Sequence, residues 1–138
     1  MIEPEYMEVV LTISGDGFNP EMLKDLVLLQ CMYCSMEFSI LISTGEVSKR
    51  GKYKGEPSPY GLCSFKVPNK TDNKIGLITS LYHRIKQLNQ DNNLSIENFN
   101  INLYFSGNQG NMELSHSELK DLANTESSIG MNYDYIDE

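Results

Sequence analysis

The chain of 138 residues predicts an α+β fold, a two-layer sandwich in which three helices cover a mixed, largely antiparallel sheet of about five strands. Three observations carry this expectation. Short segments with apolar residues at every second position recur along the chain, as half-buried strands require. Segments with apolar residues at helical spacing follow residues suited to helix caps. The two kinds interleave in the order β-α-β-β-α-β-α-β over residues 1–138 as one domain, and one-faced strands belong to sheets open on their other side.

The first strand is read in "YMEVVLTIS", 6–14, where Met7, Val9, Leu11 and Ile13 share a face. The turn "GDGFN" leads into "PEMLKDLVLL", with Asn19 as N-cap and Pro20 at the first helical position, where a missing N–H costs nothing. Phe18 before the cap and Leu23 four after it have the spacing of a hydrophobic staple. "CMYCSMEFSILIS" predicts one long strand with Met32, Cys34, Met36, Phe38, Ile40 and Ile42 on one side. The stretch 44–59, rich in glycine, proline and bases, predicts an exposed loop, and "YGLCSFKVP" a shorter strand ended by Pro68. The longest helix is expected in "DNKIGLITSLYHRIKQLNQ", opened by Thr71 or Asp72, with Ile75, Ile78, Leu81, Tyr82, Ile85 and Leu88 inward. "NINLYFSG" places Phe99, Ile101, Leu103 and Phe105 on one strand face, and the tail "IGMNYDYIDE" does the same for Ile129, Met131, Tyr133 and Tyr135. A ferredoxin-like core over 6–106, extended by a final helix and strand, accommodates this order.

The tetrapeptide "LKDL" occurs at 23–26 and again at 119–122, each time after an apolar run ending in Ser-Gly. Ser115 and Glu118 fit the capping box S-x-x-E, with Leu114 before the cap and Leu119 four after it. Leu23 and Leu119 therefore stand at the same position relative to their caps, and both are expected in the core. The repetition is that of a strand–turn–helix unit, and it carries no chemistry by itself.

Charge is distributed unevenly within the net −8. Residues 1–46 hold eight acids and Lys24, residues 47–110 four acids and nine bases, and residues 111–138 seven acids and Lys120. Such asymmetry bears on partners and association rates rather than on fold. No apolar run approaches the roughly 18 residues needed to cross a bilayer. The acidic start "MIEPEYMEVV" is unlike a signal peptide, so a cytoplasmic location with reduced cysteines is expected.

Catalytic signals are weak throughout. "CMYC" pairs Cys31 with Cys34, but residues three apart on a strand point to opposite faces, and Cys63, His83 and His116 form no second metal-binding pair. Neither "SGDG" nor "SGNQG" continues into a phosphate loop. The basic segment 49–54 lacks the aromatic platform of a nucleic-acid surface, so a nucleic-acid partner is not expected. No catalytic, cofactor-binding or metal-ligating residue is therefore assigned.

The segments "ISGDGFNPEMLKDL", "MELSHSELKDLA" and "MNYDYID" resemble an uncharacterised family of small bacterial α+β proteins, a domain of unknown function. Lys54-Gly55-Glu56 looks like that family's Lys-Gly-acid turn, while Leu62 or Phe65 stands where the family carries a tryptophan. The resemblance implies no activity, although some such families include immunity proteins of polymorphic toxin systems. The expected function is accordingly non-enzymatic: a protein-binding module of the immunity type, which occludes the active surface of a basic toxin such as a nuclease. A small-ligand-binding or regulatory domain with its pocket between sheet and loop 44–59 is the alternative. The candidate partner-binding residues are the acids of the two repeated units, Asp16, Glu21 and Asp25 in the first and Glu113, Glu118 and Asp121 in the second. Their joint use requires the units to be neighbours in the fold.

Overall fold

The structure, a computed structural model, describes residues 6–28, 33, 35–43, 55–56, 59–107 and 113–135. Eight elements follow in the expected order: β1 (Tyr6–Asp16), α1 (Pro20–Leu28), β2 (Glu37–Ile42), β3 (Tyr60–Lys66), α2 (Lys74–Asn92), β4 (Asn98–Gly107), α3 (His116–Ala123) and β5 (Ser128–Tyr135).

The strands lie side by side as β2-β3-β1-β4-β5. β1 is central and runs antiparallel to both β3 and β4, β2 is antiparallel to β3, and β5 is parallel to β4. The first four strands thus have the split β-α-β arrangement of a ferredoxin-like core, and α3 with β5 is an addition at one edge. Val9, Leu11 and Ile13 of β1 are fully buried, as are Cys63 and Phe65 of β3 and Ile101 and Leu103 of β4. Their alternation puts one face of the sheet under the helices and leaves Glu8, Thr12, Ser64, Asn100 and Asn102 on the other. On that open face Lys66 lies 3.1 Å from Glu8 and 3.7 Å from Glu37, tying three strands together.

Both short helices begin as their sequences dictate. The Glu21 N–H donates to the Asn19 side chain (3.1 Å), and Phe18 and Leu23 are both fully buried. At α3 the Glu118 N–H donates to Ser115 Oγ (3.1 Å) while the Ser115 N–H donates to Glu118 Oε1 (2.8 Å), a complete capping box. The longest helix is capped one residue beyond Asp72 and two beyond Thr71. Asn73 takes the left-handed conformation (φ 53°), which asparagine tolerates, and its side chain accepts from the Gly76 N–H. All six residues expected on the inner face of α2 are buried.

Two local expectations are corrected. The long strand over 31–43 is instead a strand of six residues, 37–42, preceded by a turn in which the Met36 N–H donates to the Tyr33 carbonyl (3.1 Å). That turn breaks the alternation, so Tyr33 and Met36 are both buried, and the Tyr33 hydroxyl meets Ser80 Oγ at 2.7 Å. Cys31 and Cys34 lie outside the described residues, as does the basic segment 49–54. Second, Leu119 is half exposed, because only Leu122 of α3 reaches the core. Ile129 and Met131 share one face of β5, as expected, on the helix side of the sheet, and both are exposed.

One glycine is dictated by close approach. The chain leaving α2 crosses the end of β1, and a Cβ at Gly15 would lie 1.9 Å from the Ser95 carbonyl oxygen. Ser95 itself has φ 66° in this crossing. No helix among the described residues is long and apolar enough to cross a membrane.

Candidate functional site

The six acids do not form one surface. Asp16, Glu21 and Asp25 are exposed at the end of β1 and on α1, which packs on β2, β3 and α2. Glu113 is exposed ahead of α3, whereas Glu118 and Asp121 are half-buried on α3, which packs on α2. The long helix therefore stands between the two units. Their directions differ as well. α1 starts where β1 ends, beside the beginning of β4, since Ser14 pairs with Asn98; α3 starts beyond the far end of β4. The duplicated start signals lie at opposite ends of the sheet, and the juxtaposition on which a single negative face depends is not met.

Asp16 instead acquires a neighbour that sequence spacing could not indicate. Its N–H donates to Glu97 Oε1 at 3.2 Å across a separation of 81 residues. These two acids, with Ser14, Gly15, Tyr60 and Asn98, line an open cleft of about 260 Å³. Small-molecule sites usually occupy roughly 300–1,000 Å³ and are lined mainly by apolar groups. This cleft is smaller, and its described lining is polar and includes no lysine or arginine. Among the described residues no group of three or more His, Cys, Asp or Glu side chains converges as metal ligands would.

The titratable groups with altered affinities are structural. Burial pushes the Cys63 thiol up to about 12, so it is protonated and unreactive at neutral pH. Loss of water around Lys74 lowers its ammonium pKa, although the Glu8 charge opposes this, and the amine donates to the Met7 carbonyl. A 2.8 Å contact with Glu126 raises Lys86 and lowers Glu126. His83 and His116 are exposed.

The side of the molecule built by α3 and β5 is different in kind. Glu118 lines a second open cleft with Asp72, Asn73 and Lys74 at the start of α2, which orients its flank of α3 toward that helix. Successive residues of a helix turn by 100°, so Leu119 and Ala123 lie on the opposite flank. The Glu126 N–H donates to the Tyr82 hydroxyl at 2.8 Å and so holds the α3–β5 turn against α2 as well. On the helix side of β5, Tyr133 packs against the core. Ile129 and Met131 pair with the buried Ile101 and Leu103, but are 37% and 49% exposed, and Leu119 is 50% exposed. Sequence periodicity correctly gave these residues an apolar face. It could not show that the packed helices leave Ile129 and Met131 exposed.

No protein-family model, curated protein or solved structure matches the chain.

Proposed function

We propose that this chain is a non-enzymatic protein-binding module that captures a basic partner, in the manner of an immunity protein occluding a toxin such as a nuclease. The observation that carries the reading is the exposure of the large apolar side chains Leu119, Ile129 and Met131 in a strongly acidic part of the chain. Large apolar side chains left at the surface favour association, and the charge of the chain selects the sign of the partner and accelerates encounter. Residues 111–138 carry seven acids against one lysine. This moves the proposed interface from the two repeated units jointly to the second alone: Glu113 and Asp121 belong to that unit, Glu118 faces the start of α2, and Asp16, Glu21 and Asp25 lie elsewhere.

Co-purification from the native host tests the reading. A stoichiometric basic protein is expected, with an association rate that falls as salt rises. A retained small molecule with no protein would favour a ligand-binding domain instead, and a partner that associates at a salt-independent rate would remove the electrostatic argument.

A further inference from the structure

The face of the sheet turned away from the helices carries a continuous row of neutral hydrogen-bonding side chains. Ser39 pairs with Ser64, Ser64 with Thr12, Thr12 with Asn100 and Asn100 with Ser128, so strand register carries the row through all five strands. Strands about 4.8 Å apart give it a length of roughly 19 Å. Ser39 and Ser128 are exposed, and the three members between them are half-buried. Asn100 Oδ1 is buried without a hydrogen-bond partner, and so is Ser106 Oγ on the same face of β4. A buried acceptor without a donor is costly, and it gains from any group that supplies one. Between these two residues along β4, Tyr104 is 41% exposed on this face.

Charge narrows what can lie on this row, which is itself uncharged. Lys66 is the one lysine or arginine within the five strands, and Glu8 and Glu37 engage it at 3.1 and 3.7 Å. A phosphate backbone would therefore find no cation on the strands to replace its counterions. An apolar protein surface would bury the hydroxyls and amides unpaired, which is unfavourable. We infer that this face binds a neutral, extended oligosaccharide laid across the strands. Ser39, Ser64, Thr12, Asn100 and Ser128 exchange hydrogen bonds with successive sugar units, whose length is close to the strand spacing. Rotation of the Asn100 amide gives its oxygen the donor that it lacks. Tyr104 supplies an aromatic ring for the C–H face of a sugar. The row lies on the other side of the sheet from Ile129 and Met131, and its ligand is independent of the protein partner proposed above.

The test is an NMR titration of the full chain with cellotetraose, a straight chain of glucose units, with its curved isomer maltotetraose, and with tetrauridylate. Cellotetraose should shift the amides of Thr12, Ser39, Ser64, Asn100 and Ser128, with a Kd of about 1 mM. Maltotetraose should bind more weakly and tetrauridylate not at all. Thr12→Val with Asn100→Val removes two hydrogen-bonding groups and keeps side chains suited to strands. This pair should weaken cellotetraose binding about tenfold or more. Tyr104→Ala should also weaken it, whereas Tyr104→Phe should not. Absence of any shift at about 20 mM cellotetraose, or unchanged affinity of a folded Thr12→Val, Asn100→Val chain, would overturn the site. Equal or tighter binding of tetrauridylate at the same amides would overturn the choice of a neutral ligand. Concentration-dependent shifts of these amides in the free chain would give the face to a second copy instead.

Discussion

Two leucines occupy the same position relative to their helix caps and have different fates. Leu23 is sealed under α1 and Leu119 is half exposed. Leu23→Ala should cost about 2–5 kcal/mol, the range for a leucine removed from a packed core. Leu119→Ala should stay within about 0.5 kcal/mol, as surface substitutions do. Urea melts of the two variants check this, and equal losses would mean that α3 packs more deeply than described. Cys63 makes a pH prediction. Below its ordinary value of 9.0 the thiol is protonated in both folded and unfolded chains and adds no pH dependence. Between 9 and about 12 the unfolded chain ionises while the buried thiol does not, so stability falls as pH rises through that window. Comparing the alkaline stability profile with that of Cys63→Ala isolates the effect; parallel profiles would assign it to other groups.

At the scale of elements, β5 is held by its pairing with β4 from Ser128 to Tyr135, and the α3–β5 turn by α2. Tyr82 makes the second link: its ring packs edge-on against Phe99 of β4 with centroids 5.0 Å apart, and its hydroxyl accepts from the Glu126 N–H. The Lys86–Glu126 pair beside it is exposed on the Glu126 side, so solvent screens most of its worth. Tyr82→Phe keeps the ring and deletes the hydrogen bond, and should cost about 0.5–1.5 kcal/mol. Hydrogen exchange should show the loss concentrated in 116–135, with β1 and β3 unaffected. Uniform loosening of the sheet would instead make Tyr82 a general core residue. Ser115→Ala should destabilise α3 by about 0.5–2 kcal/mol through its cap. Glu118, the other half of that cap, is consequently a poor position for a charge-reversal test, because altering it also loosens the helix.

For the whole molecule, the long helix α2 divides the acidic surface in two, and this gives the partner-binding reading a discriminating test. Glu113→Lys with Asp121→Lys should slow association with the co-purified partner by about tenfold at low salt, within the usual reach of electrostatic steering. Glu21→Lys with Asp25→Lys, on the far flank of α2, should have a much smaller effect. Stopped-flow rates for both pairs at two salt concentrations distinguish the cases. Equal slowing by both pairs would mean that the partner responds to net charge alone, and the α3–β5 side would lose its special place.

The sequence by itself determined the elements and their inward faces. Caps, staples and alternation depend on residues a few positions apart, so Asn19, Ser115–Glu118 and the six apolar positions of α2 were legible. Alternation misled where a turn broke it, at Tyr33 and Met36. Tertiary structure alone decided which faces found a cover and which acids became neighbours. Period-two spacing marks Ile129, Met131 and Tyr133 as one face, but only the packed structure decides that Tyr133 is covered while Ile129 and Met131 are exposed. Likewise the identical "LKDL" segments start identical helices, while strand order and direction send those helices to opposite flanks and opposite ends of the sheet. Local signals are read within about a turn of chain, whereas a binding surface is assembled from segments brought together by the sheet. The candidate surface therefore emerged from burial: Leu119, Ile129 and Met131 are apolar positions that the packed structure leaves exposed.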